Sequence, residues 1–121
     1  EINLKLDFFE EVVKAFYCCI EFGDSNLDIF IGLADVLNFI GEFEEASSVL
    51  IKAKRLYPET AEIIYRLGCV YYILGEDEKA EKLLRKGLKI DFEYHEIFKE
   101  LFPAVFELEV VSSIISEFKN A

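Results

Sequence analysis

AEIIYRLGCVYYILGEDEKAEKLLRKGLKIDFEY, residues 61–94, decides the fold of this chain. The 34 residues before it, Leu27–Thr60, read LDIFIGLADVLNFIGEFEEASSVLIKAKRLYPET. At a shift of 34 the two agree at Ile29/Ile63, Leu33/Leu67, Val36/Val70, Gly41/Gly75, Glu42/Glu76, Glu44/Glu78, Ala46/Ala80, Leu50/Leu84, Lys52/Lys86 and Glu59/Glu93. A fixed internal period settles architecture before any local reading does. Within each copy, apolar residues recur at helical spacing and a glycine sits midway, so each copy is a pair of helices joined by a turn.

The helices follow from their punctuation. Asn26 offers an N-cap acceptor to a helix over 27–40, which Gly41 ends. Acids at Glu42, Glu44 and Glu45 open a helix near 44–57, and Lys52, Lys54 and Arg55 close it, the favourable signs for the helix dipole. Pro58 prevents continuation. The second copy repeats the plan over 61–74 and 78–90, with Gly75 between and Lys86 and Lys89 at the close. Upstream, Leu4, Leu6, Phe9, Val12, Val13, Phe16, Cys19 and Ile20 form an amphipathic pattern, Asp7 and Glu10 resemble a capping box, and Gly23 is a stop; the expected helix is 8–22. Downstream the period decays. A helix from His95 should break at Pro103, and a last helix over 109–119 should turn Val110, Val111, Ile114, Ile115 and Phe118 inward.

Small residues sharpen the pattern. Ala34/Gly68, Ala46/Ala80 and Ala53/Gly87 are equivalent, and small side chains let paired helices approach closely while Leu33/Leu67, Leu37/Tyr71 and Leu50/Leu84 fill the space around them. In these residues the chain resembles a tetratricopeptide repeat array. That family's first helix wants large, large, small, large and finds Phe30, Leu33, Ala34, Leu37 and then Ile64, Leu67, Gly68, Tyr71. Its second helix finds Ala46, Leu50, Ala53 and Ala80, Leu84, Gly87. The closing proline is present as Pro58 and replaced by Phe92. The resemblance implies an all-α, antiparallel helix-pair solenoid of about six helices. The expected domain plan is a single unit over 1–121: a partial repeat (8–22), repeats at 27–60 and 61–94, and a degenerate cap over 95–121.

The resemblance also implies where a partner sits. First helices line a concave groove, which places Asp28, Ile31, Asp35, Asn38 and Phe39 on its floor in one repeat and Glu62, Tyr65, Arg66, Cys69, Tyr72 and Ile73 in the next. Spacing agrees that Ile31, Asp35 and Asn38 share a face, as do Tyr65, Cys69 and Tyr72. Tyr65 and Tyr72 are either anchors for a partner or packing residues. Arg66 either forks onto a partner carboxylate or pairs with Glu62. Family members that grip carboxylate termini use a Lys and an Asn on the first groove helix; Ile31 and Asp35 stand there instead, and Glu96 and Glu100 stand at later places, so that ligand is not expected.

The bulk numbers bound the rest. The 121 residues are 53% hydrophobic, with twelve Phe and six Tyr, enough for a real core. A net charge of −11 argues against nucleic acid and for a basic or apolar protein partner. No apolar run reaches membrane-spanning length and no signal peptide is visible, so a cytoplasmic location is expected. The chain starts at Glu1 and lacks Met, and so reads as a piece of something longer. Cys18, Cys19 and Cys69 read as reduced thiols; with one His at position 95, expected to be solvated, no metal site or cofactor is expected. Ser47-Ser48, Ser112-Ser113 and Glu44-Glu45 have helix-surface or capping explanations, so no enzyme is expected. The sequence therefore favours a non-catalytic interaction scaffold. Two alternatives are a dedicated chaperone for a small partner subunit and a self-association element.

Overall fold

The structure is a computed structural model that describes residues 4–121; of the expected inward positions, the Leu4 and Leu6 side chains lie outside what is described. Every regular element among the described residues is a helix, in chain order α1 (Leu4–Glu21), α2 (Leu27–Phe39), α3 (Phe43–Leu56), α4 (Ala61–Leu74), α5 (Asp77–Ile90), α6 (His95–Leu101), α7 (Pro103–Phe106) and α8 (Glu109–Lys119). The all-α, helix-pair expectation holds, with eight helices in place of about six. Part of the surplus comes from Pro103. It ends α6 and then sits at the first position of α7, where its missing N–H costs nothing. The chain divides into two compact units, residues 1–57 and 58–121.

In the first unit α2 packs against both α1 and α3. Asn26 caps α2 by accepting from the Asp28 N–H at 2.8 Å. The inner face of α2 is Phe30, Leu33, Ala34 and Leu37, which meets Ala46, Val49, Leu50 and Ala53 of α3 in the buried core. Gly32 takes the place of a side chain under α1: a Cβ there would lie 2.7 Å from the Phe16 ring. The start of α1 differs from the expectation. It includes Leu4, so Asp7 lies in its first turn and not at a cap. The periodic apolar positions Leu4 and Leu6 already continue the pattern upstream of Asp7, and the period outweighs the capping-box-like spacing.

In the second unit α4 and α5 form the tightest pair. A Cβ at Gly68 would meet Leu83 and Leu84 at 3.4 Å, so the backbones come as close as side chains permit. Arg85 of α5 reaches Glu81 at 3.0 Å and Glu117 of α8 at 2.8 Å. The first is half-buried and the second exposed, so they fix position more than they stabilise. Within α8, Val111 and Ile114 are buried as expected, whereas Val110 is 44% exposed.

The turns after α1, α2 and α4 are alike. Gly23, Gly41 and Gly75 have φ of 91°, 85° and 81°, and the N–H of the following residue reaches back five residues, Glu42 to Leu37 at 2.8 Å and Glu76 to Tyr71 at 2.9 Å. This is the glycine-capped helix end, in a region that a Cβ disfavours by roughly 1–2 kcal/mol. We expect Gly75→Ala to cost about 1 kcal/mol in urea unfolding despite the open space around it. A stability equal to that of the parent would show that the turn relaxes to another conformation.

Candidate protein-binding faces

On α2, the five positions assigned to a groove differ in access. Asp28 is exposed in the first turn, and Ile31, Asp35 and Asn38 are half-buried. Phe39 is 66% exposed, its ring 4.9 Å from that of Phe9 on α1. The Asn38 amide is the odd member: both of its polar atoms are buried without a hydrogen-bond partner. Asp28 and Phe39 are therefore the solvent-exposed members, and Ile31 and Asp35 are half-buried.

On α4 most of the expected face is closed. Tyr65 is 0% exposed. Its ring stacks on Phe98 of α6 (4.9 Å, 10° between planes), its hydroxyl donates to the Asp91 carbonyl at 2.7 Å, and it lies where a Cβ at Gly87 would be, 3.1 Å away. Burial, then the Asp91 carboxylate, pushes its phenol pKa upward. The anchor role is corrected: Tyr65 is a core residue that joins α4, α5 and α6. Cys69 is 2% exposed, and burial pushes its thiol up against the smaller opposing effect of Arg66. Tyr72 is 7% exposed with its hydroxyl buried and without a hydrogen-bond partner; burial, then Glu81 and Asp77, pushes it up to about 12. Neither Cys69 nor Tyr72 is presented to a partner.

Arg66 reaches Glu62, through the main chain and not the carboxylate. It is 8% exposed, its Nη1 donates to the Glu62 main-chain carbonyl at 3.1 Å, and its guanidinium lies 5.2 Å from the centre of the Phe98 ring. The Glu62 carboxylate instead accepts from the Tyr94 hydroxyl at 2.7 Å, and that bond, ahead of burial, raises the Tyr94 pKa. A guanidinium over an aromatic face in a desolvated setting is held by cation–π attraction as well as by hydrogen bonds. Of the α4 positions, Ile73 (40% exposed) and the half-buried Glu62 keep access to solvent.

Phe98 covers Tyr65 and Arg66, and Tyr94 packs edge-on against Tyr65. The period contains the clue, since Phe98 falls 34 residues after Ile64, a large-residue position. His95 is also corrected: it is 5% exposed, hydrogen-bonded through Nδ1 to the Phe92 carbonyl, with Nε2 3.2 Å from Glu96 and its ring edge-on to Phe92 at 4.7 Å. The three cysteines carry no disulfide; Cys18 is exposed and Cys19 half-buried. No described helix is long and apolar enough to cross a membrane.

Comparison with known proteins agrees with this architecture. Residues 61–94 match the tetratricopeptide repeat family model. A 62-residue stretch, 51% of this chain, is 34% identical to the protein CTR9 homolog of Arabidopsis thaliana, but covers only 6% of that protein. The crystal structure of MamA superposes with a TM-score of 0.73 at 20% identity, over 91% of this chain and 64% of that one, which is a likeness of fold. The period, the glycine-ended helix pairs and the family match lead to one conclusion: residues 61–94 match a tetratricopeptide repeat, and the helix pair before them follows the same plan.

Proposed function

We propose that this chain is a non-catalytic scaffold that holds a peptide or helix of another protein against the outer face of α2. Repeats of this family generally mediate protein–protein contacts. The observation that carries the finer reading is the face itself: exposed Asp28, half-buried Ile31 and Asp35, and exposed Phe39 run along one helix and are not part of the inner face of the α2–α3 pair. Carboxylates interleaved with apolar groups suit a basic or apolar segment, and a net charge of −11 favours its approach. The α4 face contributes less, because its aromatic residues are occupied by the core.

Immobilised chain, used to capture partners from the parent proteome, tests this. With Asp28→Lys and Ile31→Ala introduced together and helicity verified by circular dichroism, captured protein should fall on the order of tenfold, as expected when an interface loses an apolar contact and gains a repulsive charge. Undiminished capture by the folded variant would remove α2 as the binding face.

A further inference from the structure

A second surface lies on the first unit, beside the end of the α2 face just described and meeting it at Phe39. Val13 of α1 with Leu37 and Ile40 of α2 and its end floors a cleft of about 390 Å³, and Glu10, Lys14, Glu42 and Glu45 form its rim. The apolar floor continues outward. Phe9 stands one turn before Val13 on α1, its ring 5.6 Å from Phe8 and 4.9 Å from Phe39, and Phe8 and Phe39 are 62% and 66% exposed. Exposed aromatic residues in contact with one another mark contact surfaces more than isolated ones do.

The rim is electrostatically unbalanced. Three of its four charged residues are acidic, and the cation, Lys14, reaches the neighbouring Glu11 at 3.8 Å. Glu45 accepts from the Tyr17 hydroxyl at 2.9 Å, a contact that, after burial, raises the Tyr17 pKa to about 12. Glu10 and Glu42 make no ion pair among the described residues. A planar guanidinium can meet carboxylates in bidentate fashion while its aliphatic stem covers apolar surface.

We propose that this cleft docks a basic amphipathic helix of a partner protein, with aliphatic side chains on Val13, Leu37, Ile40 and the Phe9–Phe39 pair and arginines against Glu10, Glu42 and Glu45. The site is chosen by the apolar floor, and the sign of the partner by the rim. The inference rests on the reading of the chain as a binding module and shares with the α2 face Phe39 alone.

The test uses the full chain and three synthetic peptides of equal length. One is an amphipathic helix with leucine on one face and arginine on the other; one replaces the arginines by glutamates; one keeps the arginines but replaces the leucines by serines. Only the leucine–arginine peptide should bind with backbone amide shifts at Val13, Leu37 and Ile40, and its affinity should fall with added salt. Glu10→Lys with Glu42→Lys should weaken it on the order of tenfold or more. Glu78→Lys with Glu100→Lys, which changes net charge equally at exposed positions of the other unit, should have a much smaller effect. Equal losses from both double variants, or equal binding of the serine–arginine peptide, would reduce the effect to bulk charge attraction and overturn the proposal. Shifts at Asp28 and Ile31 with a silent cleft would overturn it while leaving the α2 reading intact; shifts in the cleft with a silent α2 face would do the reverse.

Discussion

Tyr65→Ala should destabilise this protein by roughly 3–5 kcal/mol, the usual cost of truncating a large buried aromatic. The ring is fully enclosed, stacked on Phe98 and seated over Gly87, so its loss leaves space that three helices border. The Asp91 carbonyl also loses its donor. Tyr65→Phe separates the two effects: it retains the ring and should cost only about 1 kcal/mol, the net worth of one hydrogen bond. Urea unfolding followed by circular dichroism measures both. An alanine variant within about 1 kcal/mol of the parent would mean the ring does not join α4 to α6. The expectation also governs how binding data are interpreted. A partner lost on Tyr65→Ala would report a disturbed core, so contact mapping belongs at Asp28 and Ile31.

Alkali should unfold the chain over a narrow range above pH 10. An unfolded tyrosine ionises near 10. Folded, Tyr17 and Tyr72 are pushed up to about 12, chiefly by burial, and Tyr65 and Tyr94 are also raised. The folded chain thus keeps its phenol protons longer than the unfolded one. The resulting stability is fully present below pH 10 and is lost as pH rises from there through the folded values. For Tyr72, two units at 1.4 kcal/mol each give an upper bound of roughly 3 kcal/mol. Tyr65 adds to the loss in the same direction, and a few kcal/mol is a sizeable share of the whole stability of a small domain. Tyrosinate absorbance and helical ellipticity should then change together, as one cooperative step. Six phenols titrating smoothly near pH 10 with helicity intact would contradict this. Loss of the lysine ion pairs over the same range is a minor effect, because Lys14, Lys79 and Lys99 pair at the surface.

The helices were legible because the punctuation is local. Gly41, Gly75 and Pro103 act through their own backbone, so α2, α4 and the break before α7 fall where the chain reads them. Helix faces were legible only where the periodic pattern included both partners. Leu33, Ala34, Leu50 and Ala53 belong to matched positions and are buried as expected. Tyr65, Arg66 and Tyr72 belong to a face whose exposure depends on the next helix, and that helix lies where the repeat has decayed. Phe98 kept its register, and its ring covers Tyr65 and Arg66. His95 misled for a related reason. Its acidic neighbours Glu93 and Glu96 suggest solvent, but the carbonyl and ring of Phe92 enclose it from the preceding turn. The cleft beside α1 had no period to reveal it, since Glu10, Leu37 and Glu45 come from three helices.

The missing side chain at Gly87 and the ring of Tyr65 occupy one another's space, which makes them a single unit of heredity. A Cβ at 87 stands within 3.1–3.3 Å of three atoms of that ring. A side chain at 87 requires the ring of Tyr65 to give by a few tenths of an ångström, although 22 residues of sequence separate them. Among descendants of this sequence the two should exchange bulk in concert, a smaller residue at 65 permitting a larger one at 87. A library that randomises either position alone would sample mostly failures, whereas one that varies both would recover the compensated pairs.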